Sequence, residues 1–106
     1  MRLFIYGTLL DPARLSRFAG RAVPLLPARL AGWRRVRLRG TPYPTLVRAR
    51  GGVEGAVIEV GAAALRRLRA YEGPRYRERV VSVRTARRRV AATVWLGDAG
   101  MRLAWH

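Results

Sequence analysis

The sequence has no cysteine, no lysine, one histidine and only six acidic residues in 106. Each absence removes a class of chemistry. Without cysteine there is no disulfide, no thiolate nucleophile and no thiolate ligand for a metal. With His106 as the single histidine, at the last position, a His-based triad or a His metal cluster has too few members. Ser16 and Ser82 sit in no nucleophile-elbow pattern, and neither a Walker loop nor a G-x-G-x-x-G segment occurs. No run approaches the roughly 18 consecutive apolar residues of a membrane span. The apolar stretch after Met1 is too short for a secretory leader, so the expectation is a cytoplasmic protein with no membrane partner.

What is abundant is arginine, which supplies all 22 basic residues and a formal charge of +16. Such a charge raises the question of a nucleic-acid partner. The arginines, however, are scattered along the whole chain without interleaved aromatic residues. They read as solvated outward faces, with only weak adhesion to polyanions and no specific nucleic-acid partner. Half of the residues are hydrophobic. The length is that of one domain spanning 1–106, large enough for a single core.

Leu3, Phe4 and Ile5 read as a short buried strand that stops at Tyr6-Gly7-Thr8. Asp11 and Pro12 then open a helix over residues 13–19, with Asp11 as N-cap, Pro12 in the first turn and Gly20 at the C-terminal end. A strand, a glycine-containing turn and a helix start together aim backbone N–H groups at whatever lies over the turn, which favours an anion. Pro24 and Pro27 exclude a helix or a central strand over 21–31, leaving an irregular or edge segment. Trp33, Val36 and Leu38 among arginines predict a strand, and Gly40 to Pro44 a turn. Residues 45–47 form a brief strand, Arg50-Gly51-Gly52 a hairpin-like turn, and 53–60 another strand. A second helix is expected over 61–70, ended by Gly73-Pro74. Alternation over 76–85 and 90–96 gives a hairpin across the basic turn Arg87-Arg88-Arg89. The inventory is about six strands and two short helices, an α+β domain whose sheet curls into a mixed sheet or barrel with the helices at its side.

With six acids the acid–base candidates are few. Asp11 is used in capping, and Asp98 reads as a solvated loop acid. Glu54 and Glu59, on opposite faces of one strand, leave at least one exposed and paired with an arginine. Glu72 is different, because it stands at a helix C-terminus, where the dipole disfavours a carboxylate. It has either an arginine partner (Arg69, Arg75 or Arg77) or a task.

Tyr6-Gly7-Thr8-Leu9 after the first strand resembles the Y-G-T-L signature of the gamma-glutamylcyclotransferase-like (AIG2-like) family. Tyr43-Pro44 fits a segment in which that family carries an aromatic residue and a proline. Val53-Glu54-Gly55-Ala56-Val57 is similar to its V-x-G-x-V strand. Leu68-Arg69-Ala70-Tyr71-Glu72-Gly73 followed by Tyr76-Arg77-Glu78-Arg79-Val80 resembles L-D-x-Y-E-G…Y-x-R-x-x-V, with Arg69 in place of the family's aspartate. The likeness runs in order over most of the chain.

The resemblance implies a small mixed β-barrel with flanking helices, and an enzyme that cyclises the glutamyl part of a gamma-glutamyl amine or peptide to 5-oxoproline. Glu72 then carries over as the catalytic acid/base. Tyr6, Gly7, Thr8 and Leu9 carry over as the substrate-binding loop, and Tyr76, or else Tyr43, as a pocket wall. The partner implied is a small anionic gamma-glutamyl substrate, with no metal and no cofactor. The alternative is a binding module of the same fold without activity. A carboxylate in this role must be buried enough to hold a proton near neutrality, and it must lie close to the Tyr6–Leu9 turn.

Overall fold

Arg2–Ile5 forms the first strand, β1, three of whose four residues are buried. The structure is a computed structural model, and it describes residues 1–38, 44–73, 76–97 and 102–103. A single 3-10 turn over Thr8–Leu10 carries the chain from β1 into helix α1, Pro12–Ala19. The Asp11 carboxylate accepts from the Ala13 N–H at 3.2 Å, and Gly20 ends α1 at φ 80°, a left-handed turn that suits glycine. Strands β2 (Leu26–Leu38) and β3 (Pro44–Glu59) form a long antiparallel pair, and helix α2 (Ala62–Glu72) follows. Strands β4 (Tyr76–Thr85) and β5 (Arg89–Gly97) form the last hairpin, and Arg102–Leu103 adds a two-residue β6 to the end of β2.

Five of these strands close a barrel in the order β3-β1-β5-β4-β2, with β2 pairing back onto β3. β1 runs parallel to β5, and every other pairing is antiparallel. Closure removes free sheet edges along most of the wall. Phe4, Leu30, Leu46, Val83 and Val94 fill the barrel interior. Leu3, Ile5, Leu15, Ile58 and Leu68 form a second core, where both helices cover the outside of β1 and β3. The alternation of residues 3–5 thus serves both sides of one strand.

Of the two alternatives for residues 21–31, the edge segment holds from Leu26: Leu26 to Ala31 pair with β3 in continuous register, and Pro27 lies opposite Ala56. Proline is tolerated because β2 meets β4 only at Ala28 and Arg29, so the head of the strand has a neighbour on one side alone. One expectation fails here: Arg50-Gly51-Gly52 is not a hairpin turn. It lies inside β3, beside an irregularity in register between Ala31 and Trp33, where Gly32 and Gly51 take φ of 83° and 107°. These left-handed glycines bend the long hairpin around the barrel and do not reverse it.

Beyond Arg29, β2 and β4 diverge. The Trp33 ring is buried in the gap, with the Arg48 guanidinium 4.9 Å and the Arg79 guanidinium 5.5 Å from its centre. Two of the scattered arginines therefore cover an aromatic face in the barrel wall.

Gly55 has a strict geometric reason. A Cβ there would stand 2.3 Å from the Ile5 carbonyl oxygen and 2.8 Å from the Phe4 ring. The V-x-G-x-V strand needs glycine because β3 presses its backbone onto β1. No described helix is long and apolar enough to cross a membrane. The expected turn at residues 40–43, the Pro74 end of the second helix, Asp98 and the tail from 104 lie outside the described residues.

Candidate functional site

The C-terminal ends of β1 and β5 and the beginnings of β3 and β4 meet at one mouth of the barrel. Tyr6 leaves β1 there with its side chain directed into the barrel interior. Its phenol donates to the Trp95 carbonyl at 2.6 Å, and burial pushes its ionisation far above the ordinary tyrosine range. The phenol therefore stays neutral and anchors the exit of β1. The Thr45 hydroxyl, also buried, accepts from the Gly97 N–H at 2.6 Å and ties the start of β3 to the end of β5.

Gly7, Thr8 and Leu9 form the turn above. A Cβ on Gly7 would come within 3.2 Å of the Pro44 ring, so the turn packs closely on the head of β3. Leu9 is buried in the helix-side core. The Gly7 and Thr8 carbonyls accept from the Leu10 and Asp11 N–H groups at 3.0 and 3.3 Å. The N–H groups of Gly7, Thr8 and Leu9 themselves have no acceptor among the described residues. They are the unused donors expected at the first turn of a helical segment.

Helix α2 brings the other half. The Tyr71 hydroxyl and Thr8 Oγ1 are 2.7 Å apart, a hydrogen bond that fixes the helix C-terminus against the turn. The Tyr71 ring also packs on Phe18 of α1, with centroids 4.3 Å apart. Arg67 donates from Nε to the Phe18 carbonyl at 2.6 Å and from Nη2 to the Ala19 carbonyl at 2.9 Å, a cation at the negative end of α1. The next residue after Tyr71 is Glu72, whose charge acts on the Tyr6 phenol.

Glu72 is half-buried, and desolvation raises its pKa from 4.5 to about 7. The helix carbonyls at this end oppose its charge as well. The salt bridge to Arg69 that its sequence neighbourhood allowed does not form. Arg69 instead grips Glu78 on β4, Nε to Oε2 at 2.6 Å and Nη2 to Oε1 at 3.0 Å, and holds that carboxyl below the usual range. Trp95 Nε1 adds a third bond to Glu78 at 3.2 Å. Glu72 makes no hydrogen bond or ion pair among the described residues. Glu54 and Glu59 are exposed and paired with Arg29 and Arg2, at 2.7 and 3.0 Å.

Tyr76 opens β4 at the same mouth. Its hydroxyl donates to the Pro44 carbonyl at 3.1 Å, and its ring packs in the helix-side core. Tyr43 lies outside the described residues. Tyr6, Gly7, Thr8, Glu72 and Tyr76 are thus gathered at one mouth, whereas the Leu9 side chain points away into packing. No cluster of His, Cys, Asp and Glu able to hold a metal occurs among the described residues.

Arg35 belongs to this group although the sequence reading did not single it out. Its Nη2 donates to the Tyr6 carbonyl, so a guanidinium stands at the turn. The available signal was spacing. Trp33 and Val36, both buried, are three apart in a strand, so one of Arg34 and Arg35 has to break the alternation. Arg35 is the half-buried one.

Comparison with known proteins agrees with this architecture. The family model described as gamma-glutamyl cyclotransferase, AIG2-like, matches residues 3–103. The chain is similar to protein AIG2 C of Arabidopsis thaliana, with 33% identity over 107 residues, covering 95% of this chain and 65% of that protein. A solution structure from the same plant superposes with a TM-score of 0.83 at 31% identity, over 99% of this chain and 68% of the other. A gamma-glutamyl cyclotransferase structure shares the fold with a TM-score of 0.81 at 19% identity, over 92% of this chain and 66% of that one. By family match, sequence and fold together, the chain belongs to the gamma-glutamyl cyclotransferase, AIG2-like family.

Proposed function

We propose that this protein cyclises the gamma-glutamyl part of a small gamma-glutamyl amine or peptide to 5-oxoproline, releasing the amine, with Glu72 as general acid and base. The carrying observation is the state of Glu72: a half-buried carboxyl with a pKa of about 7, no partner among the described residues, and a place beside the Tyr6–Leu9 turn. A carboxyl near neutral pKa both takes and returns a proton at working pH.

In this reading the substrate α-carboxylate lies against the free N–H groups of the turn, with Arg35 adding positive charge nearby. The Glu72 carboxylate takes a proton from the substrate α-ammonium. The freed amine nitrogen attacks the γ-carbonyl carbon, forming the ring C–N bond and a tetrahedral oxyanion. As the oxyanion collapses, the bond to the leaving nitrogen breaks. That nitrogen takes the proton from Glu72, the ring nitrogen gives the surplus proton it carries after the attack to the regenerated carboxylate, and this proton leaves on the released amine as 5-oxoproline departs. Both reacting groups belong to one molecule, so the main demand is conformational restraint between the turn and Glu72. Tyr76 and Pro44 supply one wall of the pocket.

The test is release of 5-oxoproline from a panel of gamma-glutamyl amines and dipeptides, by the wild type and by Glu72→Gln. Product from the wild type and none from the variant supports the reading. Binding of a gamma-glutamyl compound without any product supports a non-catalytic binding module instead.

A further inference from the structure

The barrel has a second opening, at the end away from Glu72. There β1, β2 and β5 begin and β3 and β4 end, around a pocket of about 400 Å³. Pro24, Leu26, Val57 and Val90 provide an apolar wall. Leu26 keeps 50% of its surface in solvent, whereas most large apolar residues of this chain are covered.

The rim is basic and held in place. The Thr85 hydroxyl accepts from the Arg87 and Arg88 N–H groups at 3.3 and 3.2 Å and donates to the Arg88 carbonyl at 2.9 Å. A second bond, from the Thr85 N–H to the same carbonyl at 2.9 Å, completes the turn. Both residues line the pocket, and neither has a carboxylate partner among the described residues. The acid on this rim, Glu59, is bonded by Arg2 at 3.0 Å and is therefore neutralised.

An apolar wall beside two arginines with no carboxylate partner among the described residues fits one chemistry: an apolar body ending in an anion. At about 30 Å³ for each water-sized volume, the cavity takes on the order of a dozen non-hydrogen atoms. We propose that this basal pocket binds a small amphiphilic carboxylate, with its tail on Leu26 and Val57 and its head at Arg87 and Arg88. The proposal does not depend on the chemistry at Glu72.

The experiment is an amide NMR titration of the full chain with octanoate in about 150 mM salt, where distant exposed charges are screened. Octylamine and acetate serve as probes lacking the anion or the tail. The expected result is saturable octanoate shifts concentrated at Leu26, Ala86 to Arg88 and Val90, with both control probes at least about tenfold weaker. Loss of a charge-assisted bond is worth about tenfold or more, so Arg87→Ala/Arg88→Ala weakens octanoate to that extent. Leu26→Ser, which leaves the turn intact, weakens it too. The proposal is overturned by the absence of shifts, by shifts spread over arginines on every face, by acetate matching octanoate, or by folded variants that bind as the wild type does.

Discussion

Glu72→Gln separates the energetic burden of the buried carboxyl from its use. In the unfolded chain the group titrates near 4.5, and in the fold near 7. Below pH 4.5 both states hold the proton, and the group costs nothing. Between these values the unfolded chain ionises first, so stability falls as pH rises, and above 7 the whole cost is present. At about 1.36 kcal/mol per unit the gap amounts to about 3 kcal/mol, an upper figure because the half-buried group retains some solvent screening. Glutamine has the same shape and no charge. The variant should melt with the wild type near pH 4 and above it at pH 8.5, by up to roughly 13 °C for a domain of this size. Scanning calorimetry across this range measures the difference. The same variant should lose at least about a hundredfold in 5-oxoproline release, the lower end of what a general acid–base group contributes. Parallel melting curves at every pH would refute the burial argument. A stabilised variant that still turned over would refute the catalytic one.

Three further outcomes follow from the same geometry. Glu78→Gln weakens the hold on Arg69, which can then turn to Glu72 three residues along the helix. The rising limb of the kcat/KM profile should shift below pH 7, and a profile identical to the wild type's counts against Glu78 as a positioning residue. Gly55→Ala places a methyl group 2.3 Å from the Ile5 carbonyl, and should cost about 1–3 kcal/mol or more in urea denaturation. A cost near zero would mean that β3 does not press on β1 as described. Asp11→Ala removes the bond to the Ala13 N–H, and should cost about 1 kcal/mol in the same assay with no change at Glu72.

The parts of the fold governed by local chemistry could be read from sequence, and those governed by closure could not. Asp11, Pro12 and Gly20 act within a few residues of themselves, so the bounds of α1 were legible. The alternating apolar residues of β4 needed only a buried face, which any sheet supplies. Pro27 pointed to a strand edge, as found, whereas Gly51-Gly52 misled because its usual meaning, a turn, is also local. Inside a closed barrel the same residues sit where a strand lacks one neighbour or must bend. Arg35 was lost among 22 arginines for a related reason. Its role depends on which carbonyl it meets, and that is fixed by how β1 and β2 are both paired to β3.

Two carboxylates compete for the single guanidinium of Arg69. Sequence proximity offers Arg69 two carboxylates, Glu72 on its own helix and Glu78 on the following strand. Pairing with Glu72 would leave a salt-bridged acid with a low pKa, unable to carry a proton at neutral pH. The fold decides against this by giving Glu78 a second donor, Trp95 Nε1, on the neighbouring strand β5. With two donors Glu78 binds Arg69 at both oxygens, and the guanidinium is drawn off the helix end. Among the described residues Glu72 then has no ion pair, and its desolvation and the helix carbonyls favour the protonated form. Arginine at position 69, in place of the family's aspartate, is therefore compatible with a carboxyl of raised pKa at Glu72, because Glu78, also bonded by Trp95, holds the guanidinium.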